Sequence, residues 1–323
     1  MNEQPINSER SESLVKEIDY LDLFFLIWKK KLIVISTTFI AAILSVIVAL
    51  NVPNLYKSEA LIMSADTDGD GGLAGLTDKL GGLAGLAGVN LNSGGGNKVQ
   101  LALEVMQSRR FLTEFIDKHG ILIEVMAAES WSLARNQLIL DEDIYDDTSK
   151  TWVREVRAPY VAKPSLLEAY KEFRKLLQIN ENPDTGMITI SIEYYSPYLA
   201  KSWVELLISD INEEMKERDV EEAVKSTSYL TGQLDTTNIA DIRSILYSLV
   251  EEQARTIMFA NVRDEYIFKT VDPAIVPEEK SKPSRALICI IGVLLGFLFS
   301  SVVVLAHHFI IQSRNAVNLG AQR

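Results

Sequence analysis

The chain has 323 residues, one cysteine, and 32 basic against 44 acidic side chains for a net charge of −12. A lone cysteine closes no disulfide within the chain, so cysteine usage says nothing of the compartment. So acidic a balance argues against nucleic acid as a partner and against lying flat on anionic lipid, and leaves only local binding of a polyanion.

Residues 1–31 form a polar tail of mixed charge that ends in Trp28-Lys29-Lys30-Lys31. Leu32 to Leu50 then runs without a charge and is closed by Asn51 and Pro53. A cleaved signal peptide would lie nearer the start and have a shorter apolar core, so 32–51 is expected to be a transmembrane helix that stays in the bilayer. Lys29, Lys30 and Lys31 before it, against Lys57 shortly after it, place the first tail in the cytoplasm by the positive-inside bias.

Most of the negative charge lies in the stretch 52–285, with 25 basic and 38 acidic residues. Tyr56 to Met63 alternates like a strand. Gly69 to Gly96 holds 11 glycines in 28 residues and repeats Gly-Gly-Leu-Ala-Gly-Leu at 71–76 and 81–86. Glycine resists a fixed backbone, which reads as a mobile loop, while its leucines suggest docking on its own domain, a neighbour or the bilayer surface. Asp66, Asp68, Asp70 and Gly71 open like a calcium loop, but Thr77 stands where a bidentate Glu is needed, and a solvated acidic edge is the better reading.

Lys98 to Lys118 has a helical period through Val99, Leu103, Met106, Leu112, Phe115 and Ile116. A helix is expected around Ala127 to Leu140, then an acidic loop and a strand at Trp152 to Arg157. Pro164-Ser165 starts a helix to Leu177, with Glu168 in its first turn. A hairpin follows, Leu177 to Asn180 and Gly186 to Tyr194, whose turn is Pro183-Asp184-Thr185-Gly186. Its second strand alternates Ile188, Ile190 and Ile192 with Thr189, Ser191 and Glu193, the pattern of a half-buried strand.

Ser196-Pro197 is an N-cap with proline in the first turn. Ala200, Trp203, Val204, Leu207, Ile208 and Ile211 make one apolar stripe, and Glu213 to Glu222 is dense with charge. A helix is expected from Pro197 to Leu230, broken over Gly232 to Asn238, with a second from Ile239 to Ala260. The pair, residues 196–262, reads as a long helical arm with one face open to neighbouring chains. Tyr266 to Val271 is a last strand. Pro273, Pro277 and Pro283 then stiffen the approach to the second apolar run as an extended segment over 263–285.

From Ala286 to Ala306 no residue is charged, and at the helical rise 21 residues extend about 31 Å, enough to cross a bilayer. The second span is set at 286–307, with a short cytoplasmic tail at 308–323. Gly292, Gly296 and Ser300 place a small residue at every fourth position. Counted inward from the outer face, Gly292 matches Ser45 in depth, Gly296 matches Ala41, and Ser300 matches Thr37. Two antiparallel helices with small residues at matched levels pack closely, within a chain or between chains.

The chain has no P-loop, no paired cysteines and no Gly-x-Ser-x-Gly. Its histidines, His119, His307 and His308, are too scattered for a zinc site, and His119 before Gly120 reads as a helix C-terminal cation. Arg109-Arg110 reads as a solvated or salt-bridged pair. No catalytic constellation and no cofactor is expected.

The layout resembles the Wzz chain-length determinant proteins, the polysaccharide co-polymerases of Gram-negative inner membranes. The matching residues are Asp19-Tyr20-Leu21-Asp22-Leu23 and Trp28-Lys29-Lys30-Lys31, then Tyr56-Lys57-Ser58-Glu59-Ala60. Further on come Ser196-Pro197 with Ala200 and Trp203, Asp272-Pro273-Ala274, Pro277, Lys282-Pro283, Arg285-Ala286-Leu287, Gly292 and Gly296. The resemblance implies an α+β fold: two transmembrane helices bracketing a periplasmic α/β base over 52–195, with a long helical arm. It also implies ring-shaped homo-oligomers and the class without a kinase domain. Such proteins set the length of O-antigen or a related surface polysaccharide, working with a Wzy-type polymerase on lipid-linked polysaccharide and with no catalysis of their own. A two-span periplasmic sensor and a periplasmic glycan-processing enzyme are the alternatives. The short tails weigh against the first, and the missing acid/base pair against the second.

Overall fold

The computed structural model describes residues 28–65 and 94–320. Two compact units emerge, Met1–Val52 with Pro283–Arg323, and Pro53–Lys282. The first begins with helix α1 (Lys31–Asn51), whose apolar side chains are mostly exposed, as a lipid-facing surface requires.

The second unit is built on a four-stranded antiparallel sheet. Strand β1 (Tyr56–Ser64) enters it, and the next described elements are helices α2 (Gly94–Gln107) and α3 (Arg109–Lys118). The single helix expected over 98–118 is in fact two. Ser108 adopts an extended backbone and caps α3, its hydroxyl accepting from the Phe111 N–H at 3.2 Å. Helix α2 also starts inside the glycine run, at Gly94.

Helix α4 (Leu122–Ala127) leads into a hairpin of β2 (Ala128–Ser132) and β3 (Gln137–Leu140), where a helix was expected over 127–140. Ala127, Trp131, Ala134 and Leu138 satisfy helical spacing as well, so periodicity misleads here. Asn136 turns the chain with φ of 52°, a conformation asparagine tolerates better than most residues. Strand β4 (Tyr145–Asp146) pairs with β5 (Thr151–Trp152), which stops well short of the expected Arg157. Beyond it Arg154 pins the irregular chain, donating to the carbonyls of Ala162 (2.7 Å) and Val161 (2.9 Å) and to Glu168 (2.9 Å).

Helix α5 (Leu166–Leu176) is opened by a capping box: the Ser165 hydroxyl accepts from the Glu168 N–H while Glu168 accepts from the Ser165 N–H. The hairpin of β6 (Leu177–Glu181) and β7 (Ile188–Tyr194) follows. Its turn depends on Gly186, which sits at φ +66°. The sheet order is β6-β7-β1, with β8 (below) on the far side of β1. Register pairs Ser58 with Ile192, Ala60 with Ile190 and Ile62 with Ile188, so these residues share one face. On the opposite face Ser191 and Glu193 are also buried, at 1% and 8% exposure, so β7 is covered on both sides rather than half-buried.

Helix α6 (Pro197–Thr236) runs 40 residues, about 60 Å at the helical rise, through Gly232, so the break expected over Gly232 to Asn238 falls at the far end of that stretch. The Ser196 hydroxyl caps it by accepting from the Leu199 N–H at 3.3 Å. Its first five turns are buried from Ala200 to Met215 against β1 and β7. Further along, only Ala223 and Leu234 are buried. Thr237 is extended and ends the helix, and α7 (Ala240–Val262) packs on α6. Strand β8 (Phe268–Asp272) completes the sheet against β1.

An aromatic chain fills the core between the helices and the sheet. Phe115 meets Phe173 at 5.4 Å between centroids, Phe173 meets Trp203 at 5.5 Å, and Trp203 meets Tyr194 at 4.5 Å. The Tyr194 hydroxyl donates to the Glu124 carbonyl at 2.5 Å, and burial pushes its pKa well above the ordinary tyrosine value. The last helix, α8 (Arg285–Gly320), belongs with α1 in the first unit.

Candidate functional site

Within the first unit α1 and α8 pack along their length, and the contact is made by small residues. A Cβ placed on Gly292 would lie 2.3 Å from the Ser45 Cβ, and one on Gly296 would lie 2.4 Å from the Ala41 Cβ. Neither distance accommodates two carbons, so the backbones approach as closely as they do only because glycine stands at both positions. Ser45 is nearly buried and its hydroxyl donates to the Ala42 carbonyl at 2.8 Å. Ser300 is buried at 2% exposure and donates to the Phe297 carbonyl at 2.9 Å. Both hydroxyls are thus satisfied inside their own helices, which leaves dispersion between closely set backbones as the main attraction. Thr37 bonds to the Ile33 and Val34 carbonyls of its own helix.

Of the three prolines, Pro273 is exposed and Pro277 half-buried in an irregular segment that follows β8, while Pro283 starts the second stretch of the first unit. That segment is fastened to the sheet at several points. The Ser58 hydroxyl donates to the Ile275 carbonyl at 2.7 Å, and Leu55 bridges Lys282 through the backbone. Glu193 accepts from the Ser281 hydroxyl at 2.6 Å and from Lys282 at 2.7 Å, so both its oxygens are engaged. Ala274, buried at 3% exposure, joins the core between these anchors.

Two features have no strong signature in the sequence. Asn212 lies buried on the core face of α6. Its amide donates to the Phe268 carbonyl (3.0 Å), and its oxygen accepts from the Ile267 and Phe268 N–H groups, both at 2.9 Å. One polar residue amid an apolar stripe ties the long helix to β8. The other is a cleft of about 1330 Å³ between the β2–β3 and β4–β5 hairpins, reaching α4 and Leu199 at the start of α6.

His119 caps α3, tilted against Phe115, and its Nε2 lies 2.8 Å from Asp210 on α6. Lys118 donates to the other Asp210 oxygen, also at 2.8 Å. Arg110 pairs with Glu114 one turn on. No group of three metal-binding side chains gathers among the described residues. Asp66 to Asp70, the Gly-Leu-Ala repeat and the tail motif Asp19 to Leu23 lie outside them.

Residues 16–119 match the family model for Wzz, chain length determinant protein. That stretch is similar to the Wzz family. The match takes in the first tail, α1, β1 and the helices up to α3, so the resemblance read from the first half of the chain is met there. The match, with two helices long and apolar enough to cross a membrane, Lys31–Asn51 and Arg285–His307, supports a chain-length regulator role. Among solved structures, a full-length bacterial polysaccharide co-polymerase is similar at 12% identity, with 91% of this chain and 99% of that one covered and a TM-score of 0.38. A fragment of WzzB, a polysaccharide co-polymerase from Salmonella Typhimurium, is similar at 13% identity, with 71% and 100% covered and a TM-score of 0.31. Likenesses this loose decide nothing about how this chain acts. No curated protein sequence matches.

Proposed function

We propose that this protein sets the chain length of a surface polysaccharide, O-antigen or a related polymer, without catalysing a reaction itself. The observation that carries the reading is the Wzz match over residues 16–119. In this reading both tails are cytoplasmic, 52–285 is periplasmic, and the chain works as a homo-oligomeric ring beside a Wzy-type polymerase that extends lipid-linked polysaccharide. Helix α7 supports the oligomer: Ile242, Ile245 and Leu249, three and four residues apart on one face, are all exposed at 39% or more, an apolar row a second copy would cover. Of residues 196–262, the first turns of α6 pack in the base, and the remainder acts as the arm that carries this face. Ala41, Ser45, Gly292, Gly296 and Ser300 hold the two spans together, and Pro273, Pro277 and Pro283 stiffen the chain between base and bilayer.

The test is a gel of surface polysaccharide from cells with the gene, without it, and with it restored. Loss of a modal band on deletion and its return on complementation support the reading. An unchanged ladder overturns it.

A further inference from the structure

We propose that the cleft between the β2–β3 and β4–β5 hairpins binds a segment of a neutral or amino-substituted glycan chain, an inference that rests on the polysaccharide-regulator reading above. At about 1330 Å³ the cleft exceeds the roughly 300–1,000 Å³ typical of small-molecule pockets, so it suits several linked units rather than one small molecule. Its lining is mixed in a particular way. Ile139 and Val153, exposed at 44% and 43%, offer apolar surface, while Arg135, Gln137 and Glu142 offer planar donors and acceptors. A pyranose has the complementary character, with C–H faces and a rim of hydroxyls that both donate and accept.

Glu124 adds the sharper observation. It lines the cleft, and its Oε2 is shielded from solvent with no hydrogen-bond partner in the protein. A shielded carboxylate oxygen without a donor is costly, so the half-buried side chain gains by turning Oε2 into the cleft, where a ligand hydroxyl or amide N–H supplies what is missing. By contrast Lys150 is already engaged with Asp147 at 2.6 Å. Four carboxylates, Glu124, Glu142, Asp146 and Asp147, face two cations, Arg135 and Lys150, which disfavours a polyanionic chain.

The probe is a set of short oligosaccharides cut from the delipidated surface polysaccharide of the source cells, added to the full chain in lipid nanodiscs. Binding is read by saturation-transfer NMR and calorimetry. Arg135→Ala with Gln137→Ala, both at exposed positions, should weaken binding at least tenfold while the melting temperature stays put, and Glu124→Gln should weaken it in its own right. No binding by the wild type, or binding untouched by the double substitution, overturns the proposal, as does equal binding of oligogalacturonate. The gene deletion separates the two failures. If deletion leaves the polymer ladder unchanged, the regulator reading fails; if deletion alters it but the double variant binds as the wild type does and gives back the modal band, only the cleft assignment fails.

Discussion

Replacing Gly292 by alanine should drive the two apolar helices apart. Carbon atoms rest about 3.5–4.0 Å apart at optimal contact, and the new Cβ would start 2.3 Å from the Ser45 Cβ and 2.8 Å from its hydroxyl oxygen. The helices must part by on the order of 1 Å, and a gap of that size already forfeits a quarter to a half of each dispersion contact along the seam. With strain included, the expected cost is about 1–3 kcal/mol. The structure also names the rescue. Ser45→Gly removes both clashing atoms and leaves the Ser45 Cα, at 3.7 Å, as the nearest neighbour, an ordinary contact. At the other level Ala41→Gly should rescue Gly296→Ala in the same way, leaving Thr38 Cα at 3.7 Å and Ala41 Cα at 3.9 Å. The assay is thermal unfolding of the full chain in detergent for wild type, each single variant and each pair. A coupling of about 0.5–3 kcal/mol between partners is expected for side chains in direct contact. If Gly292→Ala melts with the wild type, or Ser45→Gly acts identically with and without it, the close packing of α1 and α8 is wrong.

Further outcomes can be checked on the same preparation. Asn212→Leu should strip partners from three backbone groups around Phe268, each worth about 1–3 kcal/mol when left unpaired, and hydrogen exchange should rise first in β8. Glu168→Gln should cost about 1–3 kcal/mol, since it weakens both the capping box and the Arg154 bond, with loosening over 154–164 seen by proteolysis. Burial opposes ionisation of Glu168, but the Ser165 N–H and Arg154 outweigh it and hold its pKa below the usual value. A lowered carboxylate pKa gives stability that is present above the unfolded value of about 4.3 and lost as pH falls through the folded one. The gap between wild type and Glu168→Gln should therefore close in acid, and a gap that persists at pH 2 would refute this. Ile245→Glu with Leu249→Glu should reduce oligomer size in light scattering and disperse the modal polysaccharide band; an unchanged assembly would place the interface elsewhere.

Legibility in the sequence followed the locality of the signal. Ser165 with Glu168, Ser196 with Pro197, and the turn through Gly186 each announce an element within four or five residues, and each is found. Where two periodicities fit one stretch the local signal fails: Ala127 to Leu140 carries helical spacing yet folds as a hairpin about Asn136. Ser108 looks unremarkable between two good helical runs, and only its hydrogen bond to the Phe111 N–H shows that it starts a new helix. Gly232 reads as a breaker, but a single glycine costs a helix only about 1 kcal/mol, and the residues around it are enough to carry α6 through. Glu193 looked solvent-facing because its strand alternates; it is buried by a segment some 90 residues later, which no window along the chain could reveal. The cleft escaped for the same reason, its walls coming from two hairpins of which neither was read as one.

The placement of Asn212 explains how one helix serves two purposes. A helix of 40 residues whose first half lies in the core and whose second half is largely uncovered needs a fixed depth in the core, and an apolar stripe alone permits sliding or rotation, because Leu, Ile and Val repack at modest cost. A buried amide that must meet Ile267 and Phe268 at 2.9 to 3.0 Å tolerates no such slip. It sits near Met215, where continuous burial ends, so the register is fixed close to the point where α6 leaves the core. Asn212→Asp sharpens the argument: it keeps the shape and the acceptor but removes the donor to the Phe268 carbonyl and buries a charge. It should therefore destabilise the protein more at neutral pH than in mild acid, and a pH-independent effect would show that shape rather than polarity sets the depth.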